Sequence, residues 1–277
     1  MRTHHYPSDV TDEQWALIEP HIPPAPLGGR PRKTDVRDVL DAVFYILRTG
    51  CQWRYLPVDF PPKSTVWRYF DQWRRDGTLD RIHDLLRRKV RTAEKPYHPR
   101  TTASVDSQSV DTTSGGEQRG RDNYKNVDGR KRHIVVDSMG LLLAVLVTAA
   151  SVDDGVAAPQ LFARLEGQPM GKVTRMFADS KYNNLKLYEW VDANAKWDLE
   201  IVSRPEGKKG WVKLPIRWTV ERTFAWLGRC RRLSKDREKS VLSSESFVKL
   251  AMIQLMLHRL EPSTVDPEFK YPRPMAA

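Results

Sequence analysis

The chain has 277 residues, 40% of them hydrophobic and 29% charged, with a formal net charge of +11. That composition is globular rather than disordered and gives room for one large domain or two ordinary ones. The basic excess favours a polyanionic partner, because each Lys or Arg set on a phosphate releases a condensed counterion. No apolar run approaches the roughly 20 residues of a membrane-spanning helix, and the N-terminus has no apolar secretory stretch. Cys51 and Cys230 stand far apart without metal-ligand neighbours. They argue against a zinc finger and suit a reducing cytoplasm, so a cytoplasmic protein without membrane contact is expected.

In chain order, Thr11-Asp-Glu-Gln-Trp15 opens a first helix with Thr11 as N-cap, and Pro23, Pro24 and Pro26 end it. A short basic arm follows at 28–33, where Arg30, Arg32 and Lys33 can track a phosphate backbone or enter a minor groove. The stretch 34–50 is the clearest helix: Val36, Val39, Leu40, Val43, Phe44 and Leu47 recur at three- and four-residue steps, and Gly50 stands at the C-terminal cap. Ser64 then caps a second amphipathic helix with Val66, Tyr69, Phe70 and Trp73 on its buried face, and Arg68 and Arg74 directed elsewhere. Two helices joined by a compact connector, the second rich in Arg and aromatics, resemble a DNA-binding helix-turn-helix. A further helix over about 79–90 completes an all-α domain at 1–95.

The periodicity changes beyond residue 101. Strands are expected at 102–110, 130–136, 141–149, 172–178 and 199–203, with a loop rich in Gly and charge before the second. The tetrad Asp137-Ser-Met-Gly140 between two apolar runs signals a hairpin. Helices are expected over 154–165 and 184–193, and from 216 onward. A meander followed by alternating β and α implies an α/β fold, a mixed sheet with helices on both faces. That is the element order of an RNase H-like domain, here at 101–240. A closing helix at 241–260 and a disordered Pro-containing tail at 261–277 are expected after it.

Asp is disfavoured inside strands, yet Asp106 follows Val105 within the first strand, and Asp179 falls directly at the end of the fourth. Glu221 lies in the last sheet-domain helix, whose stripe is Val220, Phe224 and Leu227, with Arg217 one turn before it on the same face. Carboxylates held on rigid elements are candidates for a functional site. Mg²⁺ needs only a few carboxylates because it keeps several waters. Two such ions about 3.5–4 Å apart can activate an attacking oxygen and stabilise a leaving one in phosphoryl transfer. Asp137 in the turn, and Asp153 and Asp154 before a helix, rank below these three as turn and cap residues, with Asp154 the first replacement.

Four segments carry a resemblance: Val105-Asp-Ser-Gln-Ser-Val110, Gly129-Arg-Lys-Arg-His-Ile134, Phe177-Ala-Asp-Ser-Lys-Tyr182 and Arg217-Trp-Thr-Val-Glu-Arg-Thr-Phe-Ala-Trp226. Together they resemble the insertion-sequence transposases of the IS5 family, in the wider IS4-like DDE group. The N-terminal segments Gly29-Arg-Pro-Arg-Lys33 and Arg48-Thr-Gly-Cys-Gln-Trp-Arg-Tyr-Leu-Pro57 resemble that family's helical DNA-binding region. The resemblance implies an RNase H-like fold and a metal-binding triad at Asp106, Asp179 and Glu221. It also implies two Mg²⁺ ions, with Mn²⁺ as a substitute, and strand cleavage and transfer at terminal inverted repeats. The expected partners are double-stranded DNA, from element ends and target, and a second copy of the chain or a larger assembly. The expected location is the nucleoid region of a bacterial cytoplasm. The wider group often has a Tyr three positions before the Arg and a Lys seven after the Glu. Leu214 and Gly228 hold those places here, and Arg229 or Lys235 are candidate substitutes for the Lys.

Two basic clusters are expected to contact DNA backbone. One is Lys125, Arg130, Lys131 and Arg132, leading into the second strand; the other is Arg217, Arg222, Arg229, Arg231, Arg232 and Lys235 around and beyond Glu221. His133 is read as a packing or hydrogen-bonding residue. The alternatives are a stand-alone metal nuclease of the same fold, and a DNA-binding regulator that has lost catalysis.

Overall fold

The computed structural model describes residues 5–25, 28, 31–94, 102–113, 115–166, 173–202 and 217–262. Helix α1 (Asp12–Ile18) begins with a capping box, in which Thr11 Oγ1 accepts from Gln14 N and Gln14 Oε1 accepts from Thr11 N, both at 3.2 Å. Helix α2 (Val36–Thr49) starts at Asp35, which accepts from Arg37 N at 2.8 Å, and stops at Gly50 with φ +69°. A side chain at Gly50 would be strained by that φ and would also press on Arg231. Helix α3 (Lys63–Arg75) differs from expectation at its start. Pro62, not Ser64, occupies the N-cap without a side-chain bond, and its carbonyl receives Val66 N at 3.1 Å. The fixed proline φ prepares that first turn. Helix α4 (Thr78–Ala93) follows after Gly77 at φ +75°.

The sheet comprises β1 (Thr102–Asp111), β2 (Gly120–Asp122), β3 (Val127–Asp137), β4 (Leu142–Ala149), β5 (Arg175–Ala178) and β6 (Asp198–Ile201). Strand β3 pairs antiparallel with β1 on one side and with β4 and the short β2 on the other, while β1–β5 and β5–β6 are parallel. The lateral order β4-β3-β1-β5-β6 is the RNase H-like mixed sheet anticipated from the element order. Helices α5 (Asp154–Ala163) and α6 (Leu185–Asn194) are crossovers, α7 (Arg217–Gly228) follows β6, and α8 (Val241–Leu260) closes the chain. Strand β2 lies in the stretch expected to be loop. Its turn into β3 is held by Asp122 Oδ1, which accepts from Tyr124 N and Lys125 N at 3.1 and 3.0 Å. The 137–140 hairpin forms as expected: Asp137 Oδ1 accepts from Met139 N at 2.9 Å and Leu141 N at 3.0 Å. Gly140, at φ +78°, lies against Thr223 and Trp226 of α7, where a Cβ would collide.

Strand alternation sorts side chains to two cores. Ala103, Val105 and Val135 join α5 and α6 on one face. Ile134 and Val136 face the other way, into a core shared by α2, α3, α4, α7 and α8. The N-terminal helices therefore pack through α8, with Phe247 touching the rings of Phe70 (5.0 Å) and Trp53 (6.4 Å). A linker is expected from the sequence over 91–100, but α4 continues to Ala93; residues 95–101 and the tail beyond 262 lie outside the described residues. Among the described residues no helix is long and apolar enough to cross a membrane.

A buried ionic knot ties β3 to the segment after α7. Arg130 meets Asp236 Oδ1 at 3.1 Å and the carbonyls of Glu117 and Glu238. Arg132 donates to Leu233 O at 2.7 Å and lies 4.0 Å from Asp236 Oδ2. Arg232 holds Glu238 Oε1 at 2.6 Å and Cys51 O at 3.0 Å. Removing one partner of such a network leaves buried charge uncompensated. Asp236→Asn should lower unfolding free energy by about 3–5 kcal/mol, measured by urea denaturation; a loss below about 1 kcal/mol, the scale of an exposed pair, would contradict this role.

Candidate active site

Strand β1 runs parallel to β5 with Ala103 level with Met176 and Ser104 level with Phe177. Continuing that register by two residues sets Asp106 level with Asp179. Ala103 and Val105 on β1, and Met176 and Ala178 on β5, belong to the α5–α6 core, so alternation turns both aspartates to the opposite face, over which α7 lies. Both are half-buried. Asp179 also caps the turn after its strand, accepting from Lys181 N at 2.9 Å. Glu221 is exposed on α7, whose Val220 and Leu227 are buried in the core and whose Thr223 donates to Gly140 O at 2.8 Å. The structure thus brings two of the three expected acids to neighbouring positions and the third to the helix above the same face. Among the described residues, no three His, Cys, Asp or Glu side chains stand close enough to hold a metal ion.

Behind the pair, on the α5 side, lies a polar cluster that sequence reasoning did not assemble. Asp153 is the α5 N-cap, as expected, accepting from Gly155 N at 2.9 Å. Asp154 is not a cap. It is buried, with Lys131 Nζ at 3.2 Å, His133 Nδ1 at 3.7 Å and the half-exposed Lys181 Nζ at 3.8 Å. Burial pushes the His133 imidazole down to about 4, against the opposing pull of Asp154, so the ring is neutral at pH 7. Its Nε2 lies 3.0 Å from Thr148 Oγ1, which bears out the packing and hydrogen-bonding role. The Tyr182 phenol is raised well above its ordinary value, first by burial and then by Asp106, Asp154, Asp179 and Asp153. Four carboxylates therefore project their field onto one ring. The sequence signal for this cluster was the two-residue spacing of Lys131 and His133 with Val135 on a strand, which puts all three on one face.

The basic residues divide sharply. Arg32, Lys33, Arg68, Lys125, Arg229 and Arg231 are exposed, and Lys235 is half-buried. Arg32, Lys33 and Arg68 line a groove of about 700 Å³ between the basic arm and α3, together with Tyr69 and Gln72. Trp67, 46% exposed on α3, borders the outward side of that helix and was not singled out from the sequence. Arg74, by contrast, is spent internally on Asp71 and on Ser240 and Ser243 at 3.1 and 3.0 Å. Arg130, Lys131, Arg132 and Arg232 are buried in the pairs described above, so the expected backbone-contacting cluster at 130–132 is instead a structural one. Arg222 is sandwiched between Trp218 and Trp226 at 4.5 and 4.6 Å and donates to Met139 O at 2.9 Å. Arg30 and Leu214, and the side chain of Arg217, lie outside the described residues. Gly228 faces open space, so nothing steric excludes a longer side chain there.

Comparison with known proteins agrees with this architecture. A family model described as "Transposase DDE domain" matches residues 97–256, and one described as "Putative transposase of IS4/5 family" matches 10–83. An uncharacterized 16.2 kDa protein of insertion element IS402 from Burkholderia cepacia is 34% identical over 122 residues, covering 40% of this chain and 79% of that protein. A protein named "Putative transposase for insertion sequence element IS402", also from B. cepacia, is 32% identical over 129 residues, 44% of this chain and 60% of its own length. Its counterpart for element IS6501 in Brucella ovis is 29% identical over 131 residues, 46% of this chain and 97% of its own. With the DDE-domain match covering 97–256 of 277 residues and the IS4/5 model matching the helical region at 10–83, the chain belongs to the DDE-domain transposases and is similar to their IS4/5 group.

Proposed function

We propose that the protein catalyses Mg²⁺-dependent DNA strand cleavage and strand transfer at the terminal inverted repeats of an insertion sequence, with Asp106, Asp179 and Glu221 as its metal-holding acids. The observation that carries this reading is the parallel register of β1 on β5, Ser104 level with Phe177, whose continuation by two residues levels Asp106 with Asp179. The donor chemistry fits: both aspartates offer hard oxygens, and the field of their cluster on Tyr182 is one that a divalent cation would offset. Glu221, exposed on α7, would be the third donor. Two Mg²⁺ ions, or Mn²⁺ in their place, would activate the attacking oxygen and stabilise the leaving one.

The chain's own residues hold and orient the substrate. Strands β1 and β5 fix the aspartates at one spacing. The outward side of α3, with Arg68, and the arm residues Arg32 and Lys33 grip an element end; Lys125, Arg229, Arg231 and Lys235 carry the duplex past the acids. Water attacks the phosphodiester at the element end, and the freed 3′-hydroxyl then attacks target DNA. Because two ends must meet, a dimer or larger assembly forms on the DNA, in the cytoplasm at the nucleoid.

A labelled element end tests this. Joined products support transposition, nicks alone a stand-alone nuclease, and a shifted but intact duplex a DNA-binding regulator. Asp106→Asn and Asp179→Asn should each lower cleavage about 10³-fold or more, since each removes several kcal/mol of metal-supplied stabilisation, while end binding persists. Near-normal cleavage by either variant overturns the assignment. Arg68→Ala and Lys33→Ala should each reduce the slope of log affinity on log salt by about one. Arg74→Ala should leave that slope unchanged and lower the thermal midpoint; the reverse pattern would show that the phosphate contacts lie elsewhere.

A further inference from the structure

Four buried polar atoms on the α5 side of the acid pair make no hydrogen bond among the described residues: Ser107 Oγ, His133 Nδ1, Asp154 Oδ1 and Tyr182 Oη. They belong together. Ser107 and His133 are cross-strand partners one step beyond Asp106 and Ile134, His133 Nδ1 is 3.7 Å from Asp154 Oδ1, and Tyr182 lies in the field of Asp154 as well as of Asp106 and Asp179. Thr148 Oγ1 lies 3.0 Å from both His133 Nε2 and Ala149 O. The other ring nitrogen, Nδ1, faces Asp154 Oδ1. The donor that stands at this carboxylate oxygen is Lys131 Nζ, 3.2 Å from Asp154 Oδ1.

We propose that Asp154 is a positioning residue for the acid pair, acting through this buried network. It rests on the reading of Asp106 and Asp179 as metal holders. Asp154 ties together three elements that decide where those two carboxylates stand. Lys131 and His133 anchor it to β3, the strand paired along the whole length of β1 that carries Asp106. Lys181 links it to the turn capped by Asp179, whose Oδ1 receives the Lys181 N–H at 2.9 Å. Its own position at the first turn of α5 fixes it to the helix that covers that face. Lys131, which also donates to Val152 O at 2.8 Å, offsets the charge of the buried carboxylate. Partners of this outer kind set the spacing of ligands without touching the ion.

The test is Mn²⁺ binding by the full chain without DNA, read by electron paramagnetic resonance, beside the His133 tautomer read by long-range ¹H–¹⁵N NMR. Asp154→Asn should weaken Mn²⁺ binding about 10–100-fold, move the His133 Nδ1 resonance, and leave DNA-end binding intact. Lys181→Met, at a half-exposed position that leaves the Lys131 pair in place, guards against misfolding and should weaken Mn²⁺ in the same direction. Unchanged Mn²⁺ affinity in a folded Asp154→Asn or in Lys181→Met overturns the positioning role. Asp106→Asn separates the two levels: it should abolish the bound-Mn²⁺ signal. If it does not, the reading of the acid pair falls, and the positioning role with it.

Discussion

The parallel pairing of β1 with β5 is the constraint on which the site depends. A strand has a side-chain period of two, so a slip of one residue would send Asp106 into the aliphatic core formed by Val105, Val135 and Met176. Burial of that core resists the slip far more strongly than any interaction of the aspartate itself. The hydrophobic residues between the two aspartates, rather than the aspartates, hold their spacing. The long pairing of β1 with β3, from Ala103–Asp137 to Asp111–Gly129, reinforces it from the other side.

The two faces of the sheet then divide the work. One face carries the acid pair beneath α7 and continues into a core shared with the N-terminal helices. The other carries α5, α6 and the Asp154 cluster. Charge is treated differently on each. Beneath α7 and α8, Arg130, Arg132 and Arg232 are locked to Asp236 and Glu238; on the α5 side a single carboxylate is compensated by lysine and kept beside a neutral imidazole.

Much of the fold was legible because it is written in local patterns. The α2 stripe with its Gly50 stop, the Asp137–Gly140 turn and the change to strand periodicity after residue 101 all follow from neighbours in sequence. Asp106 and Asp179 stood out because an acid within or ending an apolar strand breaks the local rule. What sequence concealed is long-range pairing. Nothing near Arg130 announces that its partner is Asp236, 106 positions away, and a buried arginine reads the same in a sequence as one waiting for phosphate. Asp154 was hidden for a related reason: beside Asp153 it looks like part of a helix cap, and only the third dimension shows one acid capping and the other interred. Strand β2 escaped because three residues held by a side-chain-stabilised turn leave no periodic trace.

The packing of Phe247 against Phe70 and Trp53 makes α3 and the sheet parts of one solid body. The separation between the outer side of α3 and the two aspartates is thereby set by side-chain packing, as between the jaws of a caliper. A duplex held at α3 as proposed would meet the two aspartates at an interval, counted in base pairs, that this packing sets.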